Sequence, residues 1–192
     1  MDKRPIAAIA MENGSEIIIA LYPDEAPNTV SSFVFLANRG FFDGHAIQRI
    51  VPGYVVDVSF NAFGHDECKY LIENESRSCG FPNNIRVEPG VIAMGGYGEN
   101  GIAGAEFFFP LEYHEKLDGN YPAFGKIIEG LETILSWGKL PLRKIEYPGG
   151  NAAIEANEPL DPLVIKSVRV DTFGAVYPEP RKRAAAYVPP GW

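Results

Sequence analysis

The sequence is poor in cysteine and histidine, and it has no long apolar run. Cys68 and Cys79 are the only thiols in 192 residues and form no CxxC pair. A disulfide framework is therefore excluded, and two thiols kept reduced are expected. His45, His65 and His114 lie far apart in the chain. His65 shares one long loop with Cys68 and Cys79, but a structural zinc site wants four ligands at recognisable spacing and no fourth is evident, so no metal is expected. No segment approaches the roughly 20 apolar residues of a membrane span. The apolar run from Ile6 to Met11, behind a basic opening, is too short for a signal sequence, which makes the cytoplasm the expected location. With a formal net charge of −8, general affinity for nucleic acid or an anionic membrane is not expected either.

What is present is mostly short strands. "PIAAIAM" and "SEIIIALY" flank Glu12-Asn13-Gly14, and Asn-Gly between apolar runs is the strongest short-range hairpin signal. Then the period changes. Pro27 suits the first turn of a helix, Val30, Phe33, Val34 and Ala37 follow at helical spacing, and Gly40 suits a left-handed cap. Further strands are expected in "AIQRI", "YVVDVS", "CKYLI", "GVIAM", "EFFF", "AFGKII" and "LVIKSVRVDTF", with a second short helix in "GLETILSW". So many strands with two helices suggest an antiparallel barrel or sandwich with helical caps. The expected division is a strand-rich domain over 1–174, the barrel or sandwich, and a proline-rich, basic tail over 175–192. Within that tail, Arg181-Lys182-Arg183 reads as a solvated run. "YVPPGW" at 187–192 is a segment that either pins the tail through Tyr187 and Trp192 or enters a proline-binding slot.

"GYGENG", from Gly96 to Gly101, is a literal GxGxxG after a predicted strand, and Asp118 stands twenty residues beyond Gly98. A dinucleotide site needs a helix opening at the third glycine, so that its N-terminus faces the pyrophosphate. Here "IAGAEFFFP" follows, which is a strand. A glycine-rich loop between two strands is the reading to carry forward.

One residue resists a purely structural account. Arg49 stands among Ile47, Ile50, Val51, Val55 and Val56, with no acidic residue between it and Asp57. A guanidinium keeps its charge wherever it is placed. Arg49 therefore lies either on the wet face of a strand or in a cavity that uses a fixed donor.

Four segments, "LYPDEAPNTVSSFVFLANRGFFDG" (21–44), "QRIVPGY" (48–54), "EFFF" (106–109) and "LDGNYPAFGKIIEG" (117–130), come in an order and spacing that resemble the cyclophilin-type peptidyl-prolyl cis-trans isomerases. The resemblance runs from residue 5 to about 172 and marks a divergent, bacterial-like member. It implies a mainly β fold: a closed eight-stranded antiparallel β-barrel capped by two α-helices, with no cofactor. It also implies proline-containing peptides or unfolded protein chains as partners. Arg49 matches the family's catalytic arginine. Tyr54, Val55, Phe108 and Leu117 match its prolyl slot, with Tyr121 at the rim, and Asp57, Gly96 and Glu106 fall at positions that meet the substrate chain.

Several positions depart from the family pattern. Gln48 replaces the usual histidine before the arginine, and Asp57-Val58-Ser59 replaces a glutamine and two glycines. Glu106 replaces a second glutamine, Gly96 an asparagine, and Lys116 the aromatic before the slot leucine. The loop after Gly96 carries one extra residue. Two carboxylates thus approach Arg49 where neutral amides are usual. The two functions in view are an isomerase with a remodelled polar rim and a cyclophilin-like peptide-binding module with weak or no isomerase activity.

Overall fold

The computed structural model describes residues 3–58, 65–147, 151–184 and 188–189. Strands β1 (Ile6–Met11) and β2 (Glu16–Leu21) form the expected hairpin, paired in register from Ile6 opposite Ala20 to Ala10 opposite Glu16. Gly14 turns it at φ +86°, a conformation that costs glycine nothing, and the Asn13 side chain accepts from the Ser15 N–H at 3.0 Å. Ala7, Ile9 and Met11 on one strand and Ile17, Ile19 and Leu21 on the other are buried, the alternation of a sheet with one covered face.

Helix α1 (Pro27–Ala37) lays Val30, Phe33, Val34 and Ala37 on that core. Phe33 is its centre: it stacks on Phe42 at 5.5 Å and meets Phe107 and Phe124 at 5.4 and 5.2 Å. Ala26 offers α1 no side-chain cap. Glu75 supplies one from elsewhere, accepting from the N–H groups of Asn28 (3.0 Å) and Thr29 (2.8 Å) and from the Thr29 hydroxyl (2.8 Å).

The remaining elements are β3 (Arg49–Val51), β4 (Val55–Asp57), β5 (Leu71–Ile72), β6 (Val91–Gly96), β7 (Ile102–Pro110), β8 (Ala123–Glu129), α2 (Leu131–Trp137), β9 (Leu142–Lys144), β10 (Asn157–Pro159) and β11 (Ile165–Asp171). Nine strands form one antiparallel sheet in the order β11-β1-β2-β8-β6-β7-β4-β3, with β5 added on β7. β9 and β10 form a separate ribbon. The sequence pattern did not predict the ribbon, whose two three-residue strands alternate nothing.

The expected closed eight-stranded barrel is corrected to an open, curled half-barrel, because β11 and β3 form no ladder. Side chains occupy the outer edge of β11 instead. Asn38 accepts from the Val170 N–H (2.8 Å) and donates to its carbonyl (3.0 Å), while Asp43 accepts from the Val168 N–H (3.2 Å). The segment before β3 crosses the gap at one place, around the isolated bridge of Ala46 to Val164: the N–H groups of Gly44 and Ile47 donate to the Ile165 and Leu163 carbonyls, and the Ile165 N–H donates to the His45 carbonyl, each at 2.8 Å. On the β3 side, Asn157 donates to the Ile50 carbonyl at 3.1 Å, so the ribbon covers that edge.

The basic run of the tail is docked rather than solvated along its backbone. Asn28 bonds both main-chain groups of Arg181 (2.8 and 3.0 Å), Lys182 bridges to Ile72, and the Arg183 N–H donates to the Leu71 carbonyl at 2.7 Å. Tyr187 and Trp192, the expected pins, lie outside the described residues.

Candidate active site

The β3–β4 hairpin places alternate residues on opposite faces of the sheet. Ile50 and Val56 join the main core under α1, whereas Val51 and Val55 belong to a second apolar cluster on the other face. Strand β7, paired with β4, repeats the division: Phe107 and Phe109 point to the core, and Phe108 to the second cluster. Leu117, from the turn before β8, closes that cluster, with Tyr54 and Tyr121 partly buried against it. Phe108 and Tyr121 meet edge to face at 5.4 Å. The result is an apolar slot made of Tyr54, Val55, Phe108, Leu117 and Tyr121, inside a cleft of about 350 Å³.

Arg49 stands on the same face. In the register of the hairpin it lies opposite Asp57, and its Nη1 donates to Asp57 Oδ2 at 2.9 Å. Its Nε donates to the Glu155 carbonyl, also at 2.9 Å. Two of its donors are thus committed to the scaffold, and the guanidinium is held in one orientation with its side chain 12% exposed. Desolvation dominates at Asp57: burial raises its carboxyl to about 6, although the charge and hydrogen bond of Arg49 pull the other way. Glu106 lines the cleft from β7 at 6% exposure and accepts from the Tyr97 hydroxyl at 3.2 Å.

All nine residues expected at the site are brought together: Arg49, Tyr54, Val55, Asp57, Gly96, Glu106, Phe108, Leu117 and Tyr121 line one cleft. Gln48 and Lys116 are exposed, and neither is among the lining residues. Gly96 has a packing reason. A Cβ there would lie 2.5 Å from Ile102 Cγ2, 2.9 Å from its Cα and 3.0 Å from the Gly101 carbonyl oxygen. The β6–β7 pairing shifts register between Met94 and Gly96, and that shift brings the following strand too close for any side chain.

Four lining residues were not expected: Gly95, Tyr97, Tyr147 and Ile154. The last two come from the segment joining β9 to β10, which brings the Tyr147 ring within 6.0 Å of the Arg49 guanidinium. Burial raises the Tyr147 hydroxyl pKa, with the charges of Asp57 and Glu106 pushing the same way. The one sequence signal for this wall was the turn chemistry of "YPGG" after a short basic strand. The glycine-rich stretch is a single 3₁₀ turn, Gly98–Asn100, between β6 and β7. Asp118 accepts from Arg77 (2.7 Å) and from the Val87 N–H (3.0 Å), so it clamps loops rather than waiting for a ribose.

Residues 6–170 match the family model of the cyclophilin type peptidyl-prolyl cis-trans isomerases, and the chain belongs to that family. Among named relatives, peptidyl-prolyl cis-trans isomerase B of Bacillus subtilis is 36% identical over 123 residues, 64% of this chain and 82% of that protein. CYP57 of Arabidopsis thaliana is 29% identical over 137 residues, 69% of this chain, and the match spans 26% of that longer protein. The fold is shared with a Cryptosporidium parvum cyclophilin solved in the presence of the dipeptide Ala-Pro. That likeness has a TM-score of 0.68 at 18% identity and covers 86% of this chain and 98% of the other.

Proposed function

We propose that this chain catalyses cis–trans rotation about X-Pro bonds in peptides and unfolded chains, with the proline ring in the slot and Arg49 as the catalytic donor. The observation that carries the reading is a guanidinium held in one orientation at the edge of an apolar slot. Rotation must cross roughly 18–20 kcal/mol because twisting breaks amide resonance. Uncatalysed, it takes on the order of 10–100 s. In the twisted state the prolyl nitrogen regains its lone pair, and a donor fixed beside it stabilises that state more than the planar one. The slot holds the ring while the acyl side turns. Arginine suits the step because it is always charged, so no general base enters.

Exchange NMR on an Ala-Pro peptide tests this directly. The wild type should speed cis–trans exchange. Arg49→Ala should lower kcat/KM at least tenfold, about 1.4 kcal/mol of transition-state stabilisation. Its fold is checked by near-UV circular dichroism. Peptide-induced shifts without faster exchange in the wild type would favour the binding module. A folded Arg49→Ala with undiminished exchange would remove Arg49 from the step.

A further inference from the structure

The mechanism leaves the tail unused, yet Arg183 in its described stretch reaches the turn that borders the cleft. Gly95, Gly96 and Tyr97 line the cleft, and the Gly98–Asn100 turn follows at once. Tyr97 N–H donates to the Gly101 carbonyl at 2.8 Å, and Gly101 N–H to Gly98 at 3.1 Å. Four of the seven residues from 95 to 101 are glycine, so this backbone has many conformations to lose when a peptide is bound along it.

Arg183 holds the far side. Its main chain is tied to β5 through the Leu71 carbonyl, and Nη1 donates to the Glu99 carbonyl at 3.0 Å. Its stem packs on Gly101, where a Cβ would lie 2.9 Å from Arg183 Cδ and 2.6 Å from the Ile72 carbonyl oxygen. Nη1 also reaches Glu73 at 3.0 Å, but Glu73 is 72% exposed and such a pair contributes little. The carbonyl contact therefore matters more, because it links the turn to a strand of the sheet.

We propose that Arg183 is a positioning residue for the isomerase reaction: it holds the Gly98–Asn100 turn so that the Gly95–Tyr97 edge is preformed for the peptide backbone. The proposal rests on the reading of the cleft as the peptide site. Preforming the edge moves an ordering cost from binding into folding, so its loss appears in KM and leaves the chemical step alone.

Arg183→Ala should raise KM about fivefold, the effect of roughly one residue's backbone ordering, with kcat held within about twofold. Amide exchange of Tyr97 and Gly101 should quicken while that of Ile9 in β1 stays unchanged. Glu73→Gln, which removes only the exposed pair, should leave KM within about twofold. Unchanged KM and exchange in Arg183→Ala, a fall in kcat at fixed KM, or tighter peptide binding would overturn the proposal, as would an equal loss in Glu73→Gln. A wild type that turns over no peptide overturns the isomerase reading and this inference with it. A normal wild type beside an unaffected Arg183→Ala overturns the inference alone.

Discussion

Arg49 and Asp57 face each other across two three-residue strands, and the proposed function makes the pair the place to test both activity and pH dependence. The Asp57 carboxyl titrates at about 6, well above its unfolded range, so between roughly pH 4 and 6 the folded state holds the extra proton. Its contribution to stability is therefore fully present below the unfolded pKa and is lost as pH rises through about 6. Asp57→Asn should accordingly raise Tm at pH 7.5, and the gain should vanish near pH 4. In the mechanism proposed above, the same carboxylate draws on the donor that serves the prolyl nitrogen. Asp57→Asn should raise kcat/KM towards a neutral Ala-Pro peptide, and the wild type should approach the variant as pH falls through 6. Exchange NMR, which needs no coupling protease, gives both profiles. A lower activity in Asp57→Asn at every pH would mean the carboxylate orients Arg49 and does not compete.

The element scale explains why the slot was legible and one of its walls was not. The resemblance to the family names Val55, Asp57, Glu106 and Phe108, and period-two alternation in β4 and β7 puts them on one face of the sheet. The β9–β10 ribbon carries no such pattern, so Tyr147 and Ile154 became visible only with the fold. Gly96 shows the limit from the other side. The motif comparison marks a missing asparagine, while the register shift beside it shows that an asparagine does not fit. Gly96→Asn should lower stability by about 1–3 kcal/mol, the usual range for overpacking. It should leave kcat/KM no higher than wild type. Denaturant unfolding and the exchange assay decide it; a stable Gly96→Asn with improved turnover would show that the loop can shift to admit the side chain.

At the scale of the whole molecule, the sheet stays open because the outer edge of its last strand is taken up by Asn38, Asp43 and the main chain of Gly44 and His45, and the tail straps α1 to β5. The tail's described contacts run from Tyr177 on the main core, through Asn28 at the start of α1, to β5. Deleting residues 175–192 removes several main-chain hydrogen bonds at roughly 0.5–1.5 kcal/mol each, so Tm should fall by about 5–10 °C. Calorimetry measures this, and peptide affinity should fall with it through the loss of Arg183. A deletion that raises affinity and leaves Tm unchanged would mean that the tail occupies the cleft.

The sequence by itself determined the hairpin at Asn13-Gly14, both helices and the strand inventory of the main sheet, and its resemblance to the cyclophilins named the residues facing the slot. The elements follow from local chemistry, turn residues and helical and period-two spacing, while a charge that arginine cannot shed singled out Arg49. Tertiary structure alone decided that the barrel stays open, that Glu75 caps a helix 47 residues away from it, and that the ribbon walls the cleft. It also decided that Arg183 reaches the turn beyond Gly96. Each of these is a contact between segments distant in the chain, made by single side chains or by edges with no period of their own. No local pattern encodes such a contact until the sheet has brought the two segments within hydrogen-bonding distance.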